Sequence, residues 1–289
     1  MKNKLIIGSA NFEQTYGIKK NFIKKKEIKK LFKLAAKNNI KKIDTSPLYN
    51  NSEKIIGSLR NNRFGIISKI PRMPKNIKKR DIRKWLEKKT INSIKNLKVK
   101  KLDALLLQNS NSLLSKNGNE IYESLKYMKI KGLTQKIGIS IYDFNTLKEI
   151  MKKFKLDLVQ APFNVLDRRL LNKGWLKKLK ENKIEVHVRS IFLQGILLLK
   201  YKDLPKKFSK YKNQWMIWEN WLKKNNINSL NACVCFVLQH KHLDGIVIGC
   251  DSSDHLSQIL KLKQTKSNFS FPNLNVKNKK LIDPREWLS

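Results

Sequence analysis

The chain has 289 residues, 40% of them hydrophobic, and a mean hydropathy of −0.50, which fits a soluble globular protein of one large domain or two small ones. Its longest apolar stretch, Ile191 to Leu199, is interrupted by Gln194 and Gly195 and falls short of the ~20 residues a transmembrane helix needs, which excludes a membrane span of that kind. Lys and Arg total 63 against 22 Asp and Glu, a net charge of +41, but only nine are Arg and the lysines are spread through the whole chain with Asn and Ile. That distribution points to a base-composition bias more than to a polyanion-binding protein, so no specific nucleic-acid partner is expected.

The amino terminus, Met1 to Gly8, lacks the apolar core and small-residue cleavage site of a secretory signal, and a cytoplasmic location is expected. From there, short runs rich in β-branched residues alternate with amphipathic, lysine-flanked helical patterns. The strands are expected at Lys4 to Gly8, Lys41 to Thr45, Phe64 to Ser68, Ala104 to Leu107, Lys136 to Ser140, Leu156 to Gln160, Glu185 to Ser190 and Gly245 to Gly249. Helices are expected near Lys24 to Asn38, Ser52 to Arg60, Lys79 to Asn96, Gly118 to Lys131, Asn145 to Lys153, Arg168 to Glu181, Ser229 to His240 and Asp254 to Leu262. A half-helical segment, Asp203 to Asn226, is inserted after the seventh strand.

Parallel strands need crossover connections, so strict alternation implies a parallel sheet, and eight units close into a single (β/α)8 TIM barrel of the α/β class. The glycine-rich phosphate turn of an open doubly wound sheet is missing from Gly8-Ser9-Ala10-Asn11-Phe12. With no linker or composition shift, residues 1–289 are read as one domain.

In such a barrel the chemistry sits where the strands end. That filter selects Asp44, Lys69, Gln108, Ser140, Gln160, Ser190 and Gly249, mostly polar residues closing apolar strands. Asp44, Tyr49 and Lys69 make a sensible proton-donating set. A free tyrosine has a pKa near ~10; an adjacent ammonium is expected to lower it, and a carboxylate beside the lysine keeps that charge in place.

The segment from Asp44-Thr45-Ser46 through Tyr49 to Ser52-Glu53, with Gly57 following, resembles the aldo-keto reductase signature D-[TS]-[AS]-x-x-Y-x-x-[SA]-E. The resemblance continues through Tyr16-Gly17, Ile137 to Ser140, Gln160 to Asn164, Arg189 to Gly195 and Val247 to Ser252, nearly the whole chain in order. It implies hydride transfer between NADP or NAD and a small-molecule carbonyl (aldehyde, ketone or sugar), with Tyr49 as general acid, Lys69 tuning it and Asp44 holding Lys69. It also implies that Ser140 and Gln160 contact the nicotinamide carboxamide. The cofactor phosphates would meet the backbone around Ser190, Phe192, Gln194 and Gly195, and the turn Gly249 to Ser252, including Asp251, that opens the last helix.

Several residues depart from the family pattern. Gln108 stands where the family has a histidine; its amide can donate a hydrogen bond but cannot carry a proton. Ile141 replaces an asparagine, Arg189 stands where many members put an aromatic residue against the nicotinamide ring, though a guanidinium plane can also stack there, and Asp251 and His255 take positions where NADPH-preferring members place cations. A carboxylate at that position favours NAD. Gln108 and Ile141 keep open a second reading, a cofactor-binding barrel with little turnover.

Elsewhere the expectations are structural. Cys233, Cys235 and Cys250 are read as reduced buried thiols, and the first two, two apart on a helix, do not share a face, so no metal site is expected. His187 is read as a packed barrel residue. Trp215, Trp218 and Trp221 are expected to pack on the barrel, with a lid over the substrate as the alternative. The oligomeric state is left open.

Overall fold

The computed structural model describes residues 4–18, 22–59, 63–262, 269–274 and 276–287. Eight parallel strands form the centre: β1 (Leu5–Gly8), β2 (Lys42–Asp44), β3 (Gly65–Ile70), β4 (Leu102–Leu107), β5 (Thr134–Ser140), β6 (Leu158–Pro162), β7 (Glu185–Arg189) and β8 (Gly245–Gly249). Each pairs with the next, and β8 returns to β1 through Leu5 opposite Ile246 and Gly8 opposite Gly249, so the sheet closes as a barrel.

Two apolar layers explain why these strands read as nearly continuous hydrophobic runs. Ile6, Ile67, Ala104, Leu106, Leu158 and Val247 form a separate cluster inside the barrel. The alternate residues, such as Ile7, Ile43, Ile66 and Leu105, belong to the larger cluster between the sheet and its helices. Because side chains alternate along a strand, the positions two residues beyond the inner cluster face the same interior, and these are Gly8, Lys69, Gln108, Gln160 and Gly249. The inner apolar cluster is therefore the floor of a polar site. His187 also lies inside, fully buried on β7, where burial and the nearby Lys42 hold its pKa at about 4, so it packs as a neutral ring.

The helices bury one face each. α1 (Lys25–Lys37) buries Ile28, Leu31, Phe32 and Ala35, the spacing of a single helical stripe. α2 (Ser52–Leu59), α3 (Ile82–Leu97), α4 (Gly118–Ile130) and α5 (Phe144–Lys153) follow β2 to β5. Of the expected second helix, Arg60 lies outside the described residues, and the expected third begins as a 3-10 turn at Lys79–Asp81 before α3.

The expectation of one helix from Arg168 to Glu181 is corrected. Only α6 (Trp175–Glu181) is α-helical there, preceded by a 3-10 turn at Asn172–Gly174 in which Lys173 (φ 54°) and Gly174 (φ 69°) are left-handed. Arg168 and Arg169 are instead committed to tertiary bonds, Arg168 to the Val165 and Pro272 carbonyls and Arg169 to Asp167 and the Tyr142 carbonyl.

After β7 the chain runs through 3-10 turns at Leu193–Leu198, Tyr201–Asp203 and Lys206–Tyr211 into α7 (Lys212–Lys224), then α8 (Ser229–Leu238). Trp215 and Trp218 are buried, their indoles donating to the Leu199 and Leu197 carbonyls, and Trp221 stacks on Trp218 and Phe271. The tryptophan face thus packs on the body of the protein. The last elements are α9 (Ser253–Leu262) and α10 (Lys279–Ile282). Among the described residues no helix is long and apolar enough to cross a membrane, and no group of three or more His, Cys, Asp or Glu is placed to hold a metal.

Candidate active site

At the carboxyl ends of the strands a cavity of about 380 Å³ opens, with Asp44, Tyr49, Lys69, Gln108, Ser140 and Gln160 on its wall. In it Lys69 and Asp44 form an ion pair, both buried, with Nζ 2.6 Å from Oδ1. Lys69 donates also to the Thr45 carbonyl at 2.9 Å, and Asp44 accepts a second bond from Gln160 Nε2 at 2.7 Å. One carboxylate thus ties β2, β3 and β6 together. Lys69, expected just after its strand, lies within β3, and Gln160, expected to end its strand, lies two residues before the end of β6.

The loop after Asp44 is folded by its own short polar side chains. Tyr49 N–H donates to the Ser46 carbonyl, and Ser52, at the start of α2, donates its hydroxyl to Ser9 at 2.7 Å and lies 3.2 Å from the Thr45 hydroxyl. Glu53 is buried and accepts from Ser68, which pegs α2 to β3. Gly57 is required for the close approach of α2 to α3, since a Cβ there would sit 2.1 Å from the Asn96 carbonyl oxygen. The Lys69 ammonium stands 5.4 Å from the centre of the Tyr49 ring.

The expectation that the ammonium lowers the tyrosine pKa is corrected: burial, and then the charge of Asp44, push the Tyr49 phenol up, against an opposing pull from Arg189. Because the field of the Lys69 ammonium is offset by the Asp44 carboxylate paired with it, desolvation of the phenolate wins. Burial lowers the Lys69 pKa, with Asp44 opposing that shift.

Gln108 is oriented by a short relay. Leu48 N–H donates to Ser46 Oγ at 3.2 Å, and Ser46 Oγ donates to Gln108 Oε1 at 2.9 Å. With the carbonyl end of its amide engaged, Gln108 has its N–H2 end left for the cavity.

On the far wall lie Ser190, Phe192, Gln194 and Gly195. The loop carrying them is left-handed at Ser190 (φ 58°), Leu193 (φ 47°), Gln194 (φ 53°) and Gly195 (φ 92°), a density of such residues found where a backbone is shaped around a ligand. The loop after β1 covers it: Ile18 N–H donates to the Gln194 carbonyl, and Gly17 (φ 75°) comes so near that a Cβ would lie 2.9 Å from that oxygen.

At the end of β8, Gly249 and Asp251 line the cavity, whereas Ser252 does not; its Oγ accepts from His255 N–H and closes the first turn of α9. Asn11 donates to the Cys250 carbonyl and to Asp251 Oδ1 at 3.0 and 3.1 Å. Ser253 donates both N–H and hydroxyl to Glu27 Oε1, and these bonds hold the Glu27 carboxyl below its ordinary range. The amino end of α9 therefore already carries a carboxylate from α1.

Tyr142, Glu27 and the orienting role of Ser46 went unrecognised in the sequence. Tyr142 follows the polar end of β5 and was open to the same strand-end filter; Glu27 looks like any surface glutamate on α1 and left no signal.

The family model for the aldo/keto reductase family matches residues 4–270. The chain belongs to the aldo/keto reductase family. That family is one of oxidoreductases, and a curated relative, the uncharacterized oxidoreductase YqkF of Bacillus subtilis, is 31% identical over 111 residues, 38% of this chain and 35% of that protein. The chain thus matches only about a third of that relative's length. Among solved structures, an aldo-keto reductase of Bacillus halodurans in its holo form superposes with a TM-score of 0.71 at 18% identity, covering 94% of this chain and 89% of that one. The glycerol dehydrogenase of Gluconobacter oxydans gives 0.69 at 18% identity, with 92% and 88% covered. At such identities these likenesses speak for the fold alone.

Proposed function

We propose that the protein reduces a small carbonyl compound with a nicotinamide dinucleotide, Tyr49 serving as the proton donor. The observation that carries this reading is the buried Lys69–Asp44 pair beside Tyr49 on the floor of the cavity. A buried ion pair is weak evidence for stability, but at a cavity floor beside a phenol it has a chemical use.

The residues present fit the cofactor. Gln160 is fully buried, its Nε2 is held by Asp44, and its Oε1 has no hydrogen-bond partner among the described residues, so it is suited to an amide N–H2 such as that of a carboxamide. Ser140 would join it, and the left-handed loop from Ser190 to Gly195 would present backbone N–H groups to phosphate oxygens. When bound, nicotinamide supplies the hydride.

The chain's own work is proton delivery and orientation. The raised pKa keeps the Tyr49 phenol protonated at neutral pH, ready to donate. As negative charge develops on its oxygen, the Lys69 ammonium stabilises it, and Asp44 keeps Lys69 charged and aimed. Gln108 donates an N–H to the carbonyl oxygen and holds it in place.

The experiment is a titration with NADH and NADPH followed by a carbonyl panel, read as loss of reduced nicotinamide absorbance. Consumption with at least one carbonyl supports the proposal; binding without consumption of any would favour the barrel with little turnover.

Because Gln108 is neutral, the reductase rate should show no ionisation belonging to this position, and Gln108→His should introduce one near pH ~6.5, the ordinary histidine range. A pH–rate profile of the two proteins checks this; an unchanged profile would take Gln108 out of the site.

Cofactor choice follows from Asp251 and Glu27. Two carboxylates at the amino end of α9 oppose an added phosphate there, while a ribose hydroxyl can donate to one of them. NADH should bind at least as tightly as NADPH, and Asp251→Lys should move the ratio of dissociation constants toward NADPH by ~10-fold, reversing a repulsion of about 1 kcal/mol or more at an exposed site. Fluorescence titrations of both proteins measure it. Tight NADPH binding that Asp251→Lys leaves unaltered would remove Asp251 from this role.

A further inference from the structure

We infer that the carbonyl substrate carries an anionic group, a carboxylate or a phosphate, and that Arg189 is the cation that receives it; this rests on reading the cavity as a reductase site. Arg189 closes β7 and lines the cavity. The neighbouring cations have their charges matched by carboxylates: Lys69 by Asp44, Arg169 by Asp167 and Arg285 by Asp283. Arg189 has no such partner among the described residues. Its Nη2 donates to the Ile141 carbonyl at 3.0 Å and its Nη1 reaches the Ser190 hydroxyl at 3.4 Å, both neutral acceptors.

The guanidinium is also held in place. Its central carbon lies 4.0 Å from the centre of the Tyr142 ring, and that of Arg285 lies 3.6 Å from the same centre. Tyr142 thus carries two guanidiniums against its ring, that of Arg285 paired with Asp283 and that of Arg189 without a carboxylate partner among the described residues. Stacking of this kind fixes the planar fork in advance, so little freedom remains to be lost when a carboxylate or phosphate docks on its unused N–H groups.

A partly buried charge without a counterion is costly, and a ligand anion offsets that cost. The groups nearest the reaction, Tyr49 and Gln108, present donors as well. The other carboxylate on the cavity wall, Asp251, accepts from Asn11 at the end of β8. The cavity is therefore built for electron-rich groups at two places, a carbonyl oxygen at Tyr49 and Gln108 and an anion at Arg189.

The test uses matched substrates with saturating NADH: benzaldehyde against 4-carboxybenzaldehyde, and glyceraldehyde against glyceraldehyde 3-phosphate. The charged member of at least one pair should have the higher kcat/KM by ~10-fold or more, the scale of a charge-assisted hydrogen bond, and the pair that shows it tells carboxylate from phosphate. Arg189→Met should bring that ratio to near one, and Arg189→Lys should retain part of it, which separates loss of charge from loss of fold. In parallel, benzoate should bind the NADH-loaded protein more tightly than benzyl alcohol, and only while residue 189 is cationic.

Ratios near one in the native protein, or a preference that survives Arg189→Met, would overturn the inference. So would a weakening of NADH binding by ~10-fold in Arg189→Met with the substrate ratio intact, since Arg189 would then serve the cofactor phosphates. If no aldehyde is reduced yet benzoate binding depends on Arg189, the reductase reading falls and the anion site stands.

Discussion

Tyr49→Phe is expected to lower kcat for carbonyl reduction by about 10²- to 10⁴-fold, the range of a positioned general acid, while changing the NADH dissociation constant little. The substitution removes one oxygen and keeps the ring, so the packing of the loop from Thr45 to Ser52 should persist: that loop is folded by backbone N–H groups and by Ser46 and Ser52, not by the phenol. The phenol matters for its proton. Its pKa is raised by burial and by Asp44, so at neutral pH it exists in the donating form, and position 108 holds an amide that cannot supply a proton in its place. Steady-state kinetics with a fluorescence titration of NADH separate the two effects. Equal kcat in the two proteins would remove Tyr49 as the acid.

Lys69→Met is expected to damage stability and turnover together. Asp44 would remain buried with only Gln160 donating to it, and breaking a buried pair by removing one member costs about 3–5 kcal/mol. A shift of that size is readable as a lower urea midpoint at unchanged slope. The double variant Lys69→Met with Asp44→Asn should regain most of the stability, because neither buried charge is left alone, yet regain none of the activity, because nothing then stabilises the phenolate. Recovery of turnover in the double variant would mean that the pair serves only the fold. A Lys69→Met protein as stable as the native one would mean that Asp44 is satisfied without it.

The barrel was legible because its strands carry a local signature: an apolar run that ends in one polar residue. The inner cluster explains why, since Ile67, Leu106 and Leu158 are each followed two positions later by Lys69, Gln108 and Gln160 on the same face. The loop from Asp44 to Glu53 was legible as a motif because its short side chains bond within the loop and to its immediate neighbours. What escaped the sequence depends on chain segments that meet only in the folded protein. Arg285 reaches Tyr142 from the carboxyl-terminal segment, and Glu27 reaches Ser253 from α1, with no periodicity to announce either contact. The helix expected from Arg168 failed for a local reason that outweighs its amphipathic pattern, the left-handed pair Lys173 and Gly174. The tyrosine pKa failed for an electrostatic one: the sequence places an ammonium and its carboxylate near the phenol, but only the structure shows how deeply the phenol is buried, and burial together with the Asp44 charge raises its pKa.

The most direct measurement is transfer of deuterium from NADH deuterated at both nicotinamide C4 positions to a carbonyl substrate, read by mass spectrometry of the alcohol formed. The account predicts label on the carbinol carbon at one deuterium per NADH consumed, and a rate lowered by about 10²-fold or more in Tyr49→Phe, as loss of a general acid requires. NADH bound in the cavity with no label transferred to any carbonyl of the panel would contradict it.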